Sequence, residues 1–145
     1  MRLHRDAKVE LIRTIPLFAS CTRHELAGVA AIADEIDLRA GRRLTTEDAP
    51  GQEFVVVVEG RAEVWHGTDL VNTIGPGEFV GEISLLTGQP RTATVVATTP
   101  VHALVIEGHA FQRLLAEAPE IRAKVETVAG EHLGHPLDSA GPVEA

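Results

Sequence analysis

Two residues of opposite charge, Glu82 and Arg91, stand in the stretch FVGEISLLTGQPRTATV, residues 79–95, whose other members are mostly apolar or small. A carboxylate accepts hydrogen bonds from hydroxyl groups, whereas a guanidinium offers a planar fork of N–H donors suited to phosphate. Read locally, GEISLL predicts about one and a half helical turns and TGQP a turn, so Arg91 can reach back towards the helix start. The first-turn N–H groups of such a helix have no acceptor within it and suit an anion. Gly81 is expected to let the backbone approach a ligand closely. Burying an arginine without a partner is costly, so this stretch points to an anion that it is built to receive. The competing reading is a plain Glu82–Arg91 ion pair beside a loop, with no ligand.

Something must position these groups, and the flanking sequence says what. Residues 1–33 read as helical: Val9, Leu11, Ile12 and Ile15 recur at helical spacing until Pro16, and TRHE has the form of a capping box for a helix over 22–33. From residue 35 short β-prone segments alternate with turn signals, among them EFVVVVEG, RAEVWHG, RTATVVATT (91–99) and VHALVIEG (101–108). Many short strands at near-regular spacing predict an all-β sandwich or barrel over 35–107. Helical patterning returns over 108–133, where AFQRLLAE precedes a helix opened by Pro119 and striped by Ile121, Val125, Val128 and Leu133. Residues 134–145 are expected to be a disordered tail or a linker.

The 145-residue chain suits one domain with a full core, and 23% charged residues with 44% hydrophobic ones is an ordinary globular balance. The formal net charge of −8 argues against a nucleic-acid surface or a polybasic membrane patch. An anionic ligand would therefore need a local basic pocket. Cys21 is the single cysteine, which permits no internal disulfide and fits a reducing cytoplasm. No apolar run approaches the roughly 18 to 20 residues of a membrane span.

GEISLLTGQPRTATV resembles the phosphate-binding cassette of the cyclic nucleotide-binding domain family, of the catabolite activator protein and protein kinase A regulatory-subunit type. Val80 is one extra residue relative to the usual phenylalanine–glycine–glutamate run. The resemblance extends over roughly residues 10–133, taking in IPLF…TRHEL, AGRRLTTEDAPGQEFVVVVEGRAEV and PEIRAKV. It implies a mainly β fold with flanking helices: a jelly-roll-like β-barrel (a double-stranded β-helix), N-terminal helices, a short phosphate-binding helix and a C-terminal lid helix, together making residues 1–133 one domain. It implies that Glu82 accepts the ribose 2′-hydroxyl and that Arg91 pairs with the cyclic phosphate. Backbone N–H groups around Ile83 and Ser84 would join Arg91. Gly81 and Ala93 belong to the same cassette, and Val64 and Val71 match apolar pocket positions. Thr92 falls where the family carries Ala, Ser or Thr, and its hydroxyl suits a phosphate or a guanine amino group. The ligand implied is cAMP, with cGMP as the alternative.

On this reading the chain is a cytoplasmic sensor and not an enzyme, with no metal, acting as a monomer or weak homodimer upon an effector domain or protein partner outside it. Val128, His132 and Leu133 are the candidates for capping the base. A degenerate, non-nucleotide-binding member of the fold serving as an interaction module is the other reading. A cupin-like metal enzyme is disfavoured, because His66, His102 and His109 stand singly and no His-x-His pair occurs. Ser84 lacks an evident base, the adjacency of Cys21 and His24 reads as incidental, and Trp65 reads as packing at a strand end.

Overall fold

The capping box is realised as written: the Thr22 hydroxyl accepts from the Glu25 N–H at 3.1 Å while the Thr22 N–H donates to Glu25 Oε1 at 2.8 Å. The computed structural model describes residues 5–46, 48 and 52–133, so the expected tail at 134–145 lies outside the described residues. Helix α1 (Arg5–Arg13) ends short of Pro16, which opens a single 3₁₀ turn (Pro16–Phe18) before α2 (Arg23–Ile32). The chain passes directly from α2 into strand β1 (Ala33–Leu38), two residues earlier than the composition change suggests.

Seven further strands follow: β2 (Arg43–Thr45), β3 (Glu53–Glu59), β4 (Ala62–His66), β5 (Asp69–Ile74), β6 (Phe79–Val80), β7 (Thr94–Ala97) and β8 (Val101–Glu107). They form two four-stranded sheets of order β1-β8-β3-β6 and β2-β7-β4-β5, with every pairing antiparallel. This is a jelly-roll order. The expected mainly β, jelly-roll-like fold with flanking helices is what forms, its hydrogen-bond ladders lying in two sheets that meet through side chains.

Strand β3 shows why the run FVVVV is apolar without interruption. Successive side chains point to opposite faces. Phe54 and Val56 enter the core shared with the helices, whereas Val55 and Val57 enter the core between the sheets with Ile74, Val95 and Ala97. The Phe54 ring lies 4.2 Å from Phe111 and 5.1 Å from Phe79, which fixes the helical layer onto the sheet.

After β8, Glu107 starts α4 (Gly108–Glu117) by accepting from the His109 and Ala110 N–H groups. Pro119 sits at the first position of α5 (Pro119–Leu133), where no amide proton is needed. Ile121, Val125 and Ala129 of α5 are buried, and Lys124 Nζ reaches Ser20 Oγ at 3.0 Å. The first three turns of α5 are thus held against the N-terminal helices. Among the described residues, no helix is long and apolar enough to cross a membrane.

Strand β1 is pinned to β8 by a polar cluster: His102 places Nδ1 2.8 Å from Asp37 Oδ1 and Nε2 3.0 Å from Glu35 Oε1. Burial alone would lower the His102 pKa, but the hydrogen bonds to Asp37 and Glu35 and their negative charge raise it. A raised folded-state pKa contributes stability that is fully present below the unfolded value of about 6.5 and is lost as pH climbs through the folded value. His102→Gln should therefore lower the melting temperature more at about pH 6 than at about pH 9 in paired thermal melts.

Between β6 and the short helix α3 (Glu82–Thr87), Gly81 adopts φ +98°. A Cβ there would stand 2.5 Å from the Glu53 carbonyl oxygen and 2.7 Å from Arg91 Nη1. This glycine therefore makes room for the protein's own groups. Gly81→Ala combines left-handed strain with overlap against backbone, and should lower unfolding free energy by at least about 2 kcal/mol in a urea titration.

Candidate functional site

Arg91 is 7% exposed, on an irregular segment between α3 and β7. Helix α3 stops at Gly88, whose left-handed conformation lets its N–H bond the Ser84 carbonyl at 2.9 Å, and the chain then turns back. The returning segment is tied from outside: the Asp48 N–H donates to the Arg91 carbonyl at 2.9 Å, and the Thr45 hydroxyl to the Ala93 carbonyl at 2.9 Å. The guanidinium itself donates to the Gly81 carbonyl from Nη1 at 3.0 Å and to the Glu53 carbonyl from Nη2 at 2.7 Å. Burial lowers the Arg91 pKa, and the charges of Glu53 and Glu82 oppose that shift. An arginine stays cationic under such a shift. Neutral carbonyl dipoles thus orient the fork while its positive charge remains available to the cavity it lines.

Glu82 is 1% exposed, at the first position of α3. Its Oε2 lies 2.9 Å from Nδ1 of His132, in the last turn of α5. The hydrogen bond to Glu82 raises the His132 pKa, against burial, and the charges of Glu82, Glu131 and Glu78 add to the rise.

Between these groups lies a cavity of about 450 Å³, within the usual size of small-molecule sites. All nine residues singled out from the sequence line it: Val64, Val71, Gly81, Glu82, Ile83, Ser84, Arg91, Thr92 and Ala93. Ile83 and Ser84 lie in the first turn of α3, where amide groups have no acceptor within the helix. Val80, Val95, Val64 and Val71 contribute the apolar part of the lining.

Sequence reasoning missed Thr45, His66, Asn72, Val80, Val95 and Glu131, which also line the cavity. Asn72 is there because of a bulge: Trp65 pairs with Leu70 and Val64 with Asn72, leaving Val71 unpaired in β5. Two consecutive residues then line the cavity, which strict alternation forbids. No one-dimensional signal marks that bulge. Of the three capping candidates, His132 and Leu133 line the cavity, but Val128 packs against the helical core instead. Trp65 is not in the lining, and its indole donates to Glu63 at 3.3 Å. Among the described residues no group of three or more His, Cys, Asp or Glu is placed to hold a metal ion.

Known proteins share both sequence and architecture with this chain. The chain is 34% identical over 118 residues to a cAMP-dependent protein kinase regulatory subunit of Aspergillus fumigatus, a match covering 79% of this chain and 28% of that protein. It spans less than a third of the length of the curated fungal regulatory subunits it matches. The regulatory domain of Toxoplasma gondii PKA, solved with cAMP, superposes with TM-score 0.75 at 21% identity, covering 83% of this chain and 48% of that one. The regulatory subunit of a cAMP-independent protein kinase A from Trypanosoma brucei superposes with TM-score 0.77 at 20% identity, covering 85% and 46%. At such identities these structures speak for the fold alone. Residues 35–118, more than half of the chain, match the family described as Cyclic nucleotide-binding domain, with the whole glutamate-to-arginine stretch inside the match. The chain belongs to the cyclic nucleotide-binding domain family.

Proposed function

We propose that this chain is a regulatory module that binds cyclic AMP between Arg91 and Glu82 and reports occupancy through α5. One observation carries the reading: a buried guanidinium and a buried carboxylate line one nucleotide-sized cavity together with an apolar group of valines. Each chemical part of a cyclic nucleotide then has a partner. The cyclic phosphate takes the outward N–H donors of Arg91 and the amides of Ile83 and Ser84, with the Thr92 hydroxyl beside them. The ribose 2′-hydroxyl donates to Glu82. The base lies along Val64 and Val71, under the end of α5.

Thr92 suits either purine, and the cAMP named for the fungal regulatory subunits and the Toxoplasma structure favours cyclic AMP over cyclic GMP. The similar fungal proteins are regulatory subunits, which supports a binding role without catalysis here, and a protein partner or effector outside this chain as the receiver of the signal. The cAMP-independent Trypanosoma neighbour shows that this fold can occur in a protein not governed by cAMP. The presence of both Glu82 and Arg91 is what favours nucleotide binding in this chain over a purely protein-interacting role.

A thermal-shift series separates the readings: stabilisation by cyclic AMP but not by 5′-AMP or sulfate supports the sensor, and equal stabilisation by sulfate sinks it. Hydrogen bonds to a charged group contribute about 1.5 to 3 kcal/mol each, so Arg91→Ala should weaken cyclic AMP binding at least roughly tenfold by calorimetry. Glu82→Ala should lose more affinity for cyclic AMP than for its 2′-deoxy analogue. An equal loss for both would remove Glu82 from the ribose.

A further inference from the structure

The contact between His132 and Glu82 sets a group of the lid against the carboxylate assigned above to the ribose hydroxyl. The imidazole stands 2.9 Å from Oε2 of a side chain that is 1% exposed, so it takes one of the two acceptor oxygens a sugar hydroxyl could use. We propose that protonated His132 is a built-in competitor for Glu82, closing the last turn of α5 over the empty cavity, so that nucleotide binding displaces it and releases its proton to solvent. This inference rests on the nucleotide reading of the cavity.

Three features support it. The first is the charge around the imidazole. Glu82 on α3, Glu78 in the turn before β6 and Glu131 on α5 itself favour the imidazolium, and they raise its pKa although burial opposes. Arg91 and His66 line the same cavity and act in the opposite sense, Arg91 as a fixed cation and His66 when protonated. Three carboxylates against one fixed cation leave the balance with protonation.

The second is mechanical. Ile121, Val125 and Ala129 are buried and Lys124 is tied to Ser20, so the body of α5 is fastened down. Gly130 follows immediately, and glycine inside a helix costs about 1 kcal/mol relative to alanine. The final turn, residues 131–133, can therefore unwind and carry His132 off Glu82 without disturbing the packed turns. The third is position: Glu131, His132 and Leu133 all line the cavity, so an entering ligand meets this turn directly.

The sign follows from linkage. In the empty protein His132 has a carboxylate partner and holds its proton to higher pH; once displaced it returns towards the ordinary value of about 6.5. Binding then releases a proton in the window between the two values, and affinity rises with pH across that window.

The test combines nuclear magnetic resonance titration of the histidine rings in the ligand-free chain with calorimetry of cyclic AMP binding at about pH 6, 7 and 8. In the free chain His132 should titrate above about 6.5, and Glu82→Gln should bring it down. Wild-type affinity should rise about three- to tenfold from about pH 6 to about pH 8, with protons released in buffers of differing ionisation enthalpy. His132→Ala, on a side chain outside the core, should flatten that rise and bind more tightly than wild type at about pH 6. An ordinary His132 titration, an unchanged slope in His132→Ala, or weaker binding by that variant at about pH 6 each overturns the competitor while cyclic AMP binding stands. Cyclic AMP binding to neither protein at about pH 8 removes the cavity assignment, and the competitor falls with it.

Discussion

Two backbone carbonyls hold the Arg91 guanidinium in place, and most of the local architecture exists to bring them together. One comes from Glu53, the first residue of β3, and the other from Gly81, the hinge between β6 and α3. Their meeting needs β3 and β6 to pair antiparallel, a residue without a Cβ at position 81, and a helix short enough to return the chain within ten residues. Because main-chain dipoles do the orienting, the side chain loses little further freedom when it meets an anion, which is the condition for tight binding by few groups.

The two charges of the cavity are secured by different means. Arg91 is fixed by main chain belonging to the sheet and its hinge, whereas Glu82 is met by His132, a side chain on the last turn of the C-terminal helix. On the proposed reading, the fixed end would orient the phosphate and the other would couple occupancy to helix position, dividing selectivity and signalling between two ends of one cavity.

How far the sequence can be read follows the same division. The capping box at Thr22, the strand EFVVVVE and the proline opening α5 are local statements, and local physics decides them. The glutamate and arginine of the cassette lie nine positions apart, close enough for a turn to unite them, so their shared cavity is legible from spacing and from family resemblance. The partner of Glu82 is fifty residues away: His132 is named from the sequence as a candidate for capping the base, but nothing in the run GEHL directs it to the carboxylate. The bulge at Val71 is equally silent, because it arises from the pairing of β4 with β5 and not from the composition of either. Gly81 is legible only in part: the residue type is informative, but the protein atoms it accommodates are supplied by β3 and Arg91, outside its local run. Whether eight strands close as a barrel or remain two sheets depends on edge hydrogen bonds that no side-chain pattern encodes.

Strand β3, apolar on both faces, has one more effect. It stands like a bulkhead between two compartments, one floored by aromatic rings and helices and the other filled by small aliphatic groups from the facing sheets. A rearrangement among the helices would meet that wall, since the strand is paired with β8 on both sides of the irregularity at Val58 and cannot yield without breaking the ladder. The sheet compartment therefore serves as a stationary chassis. Because Glu53 opens this same strand, the anchor of the guanidinium belongs to the chassis and keeps its bearing whichever way the helical side is thrown.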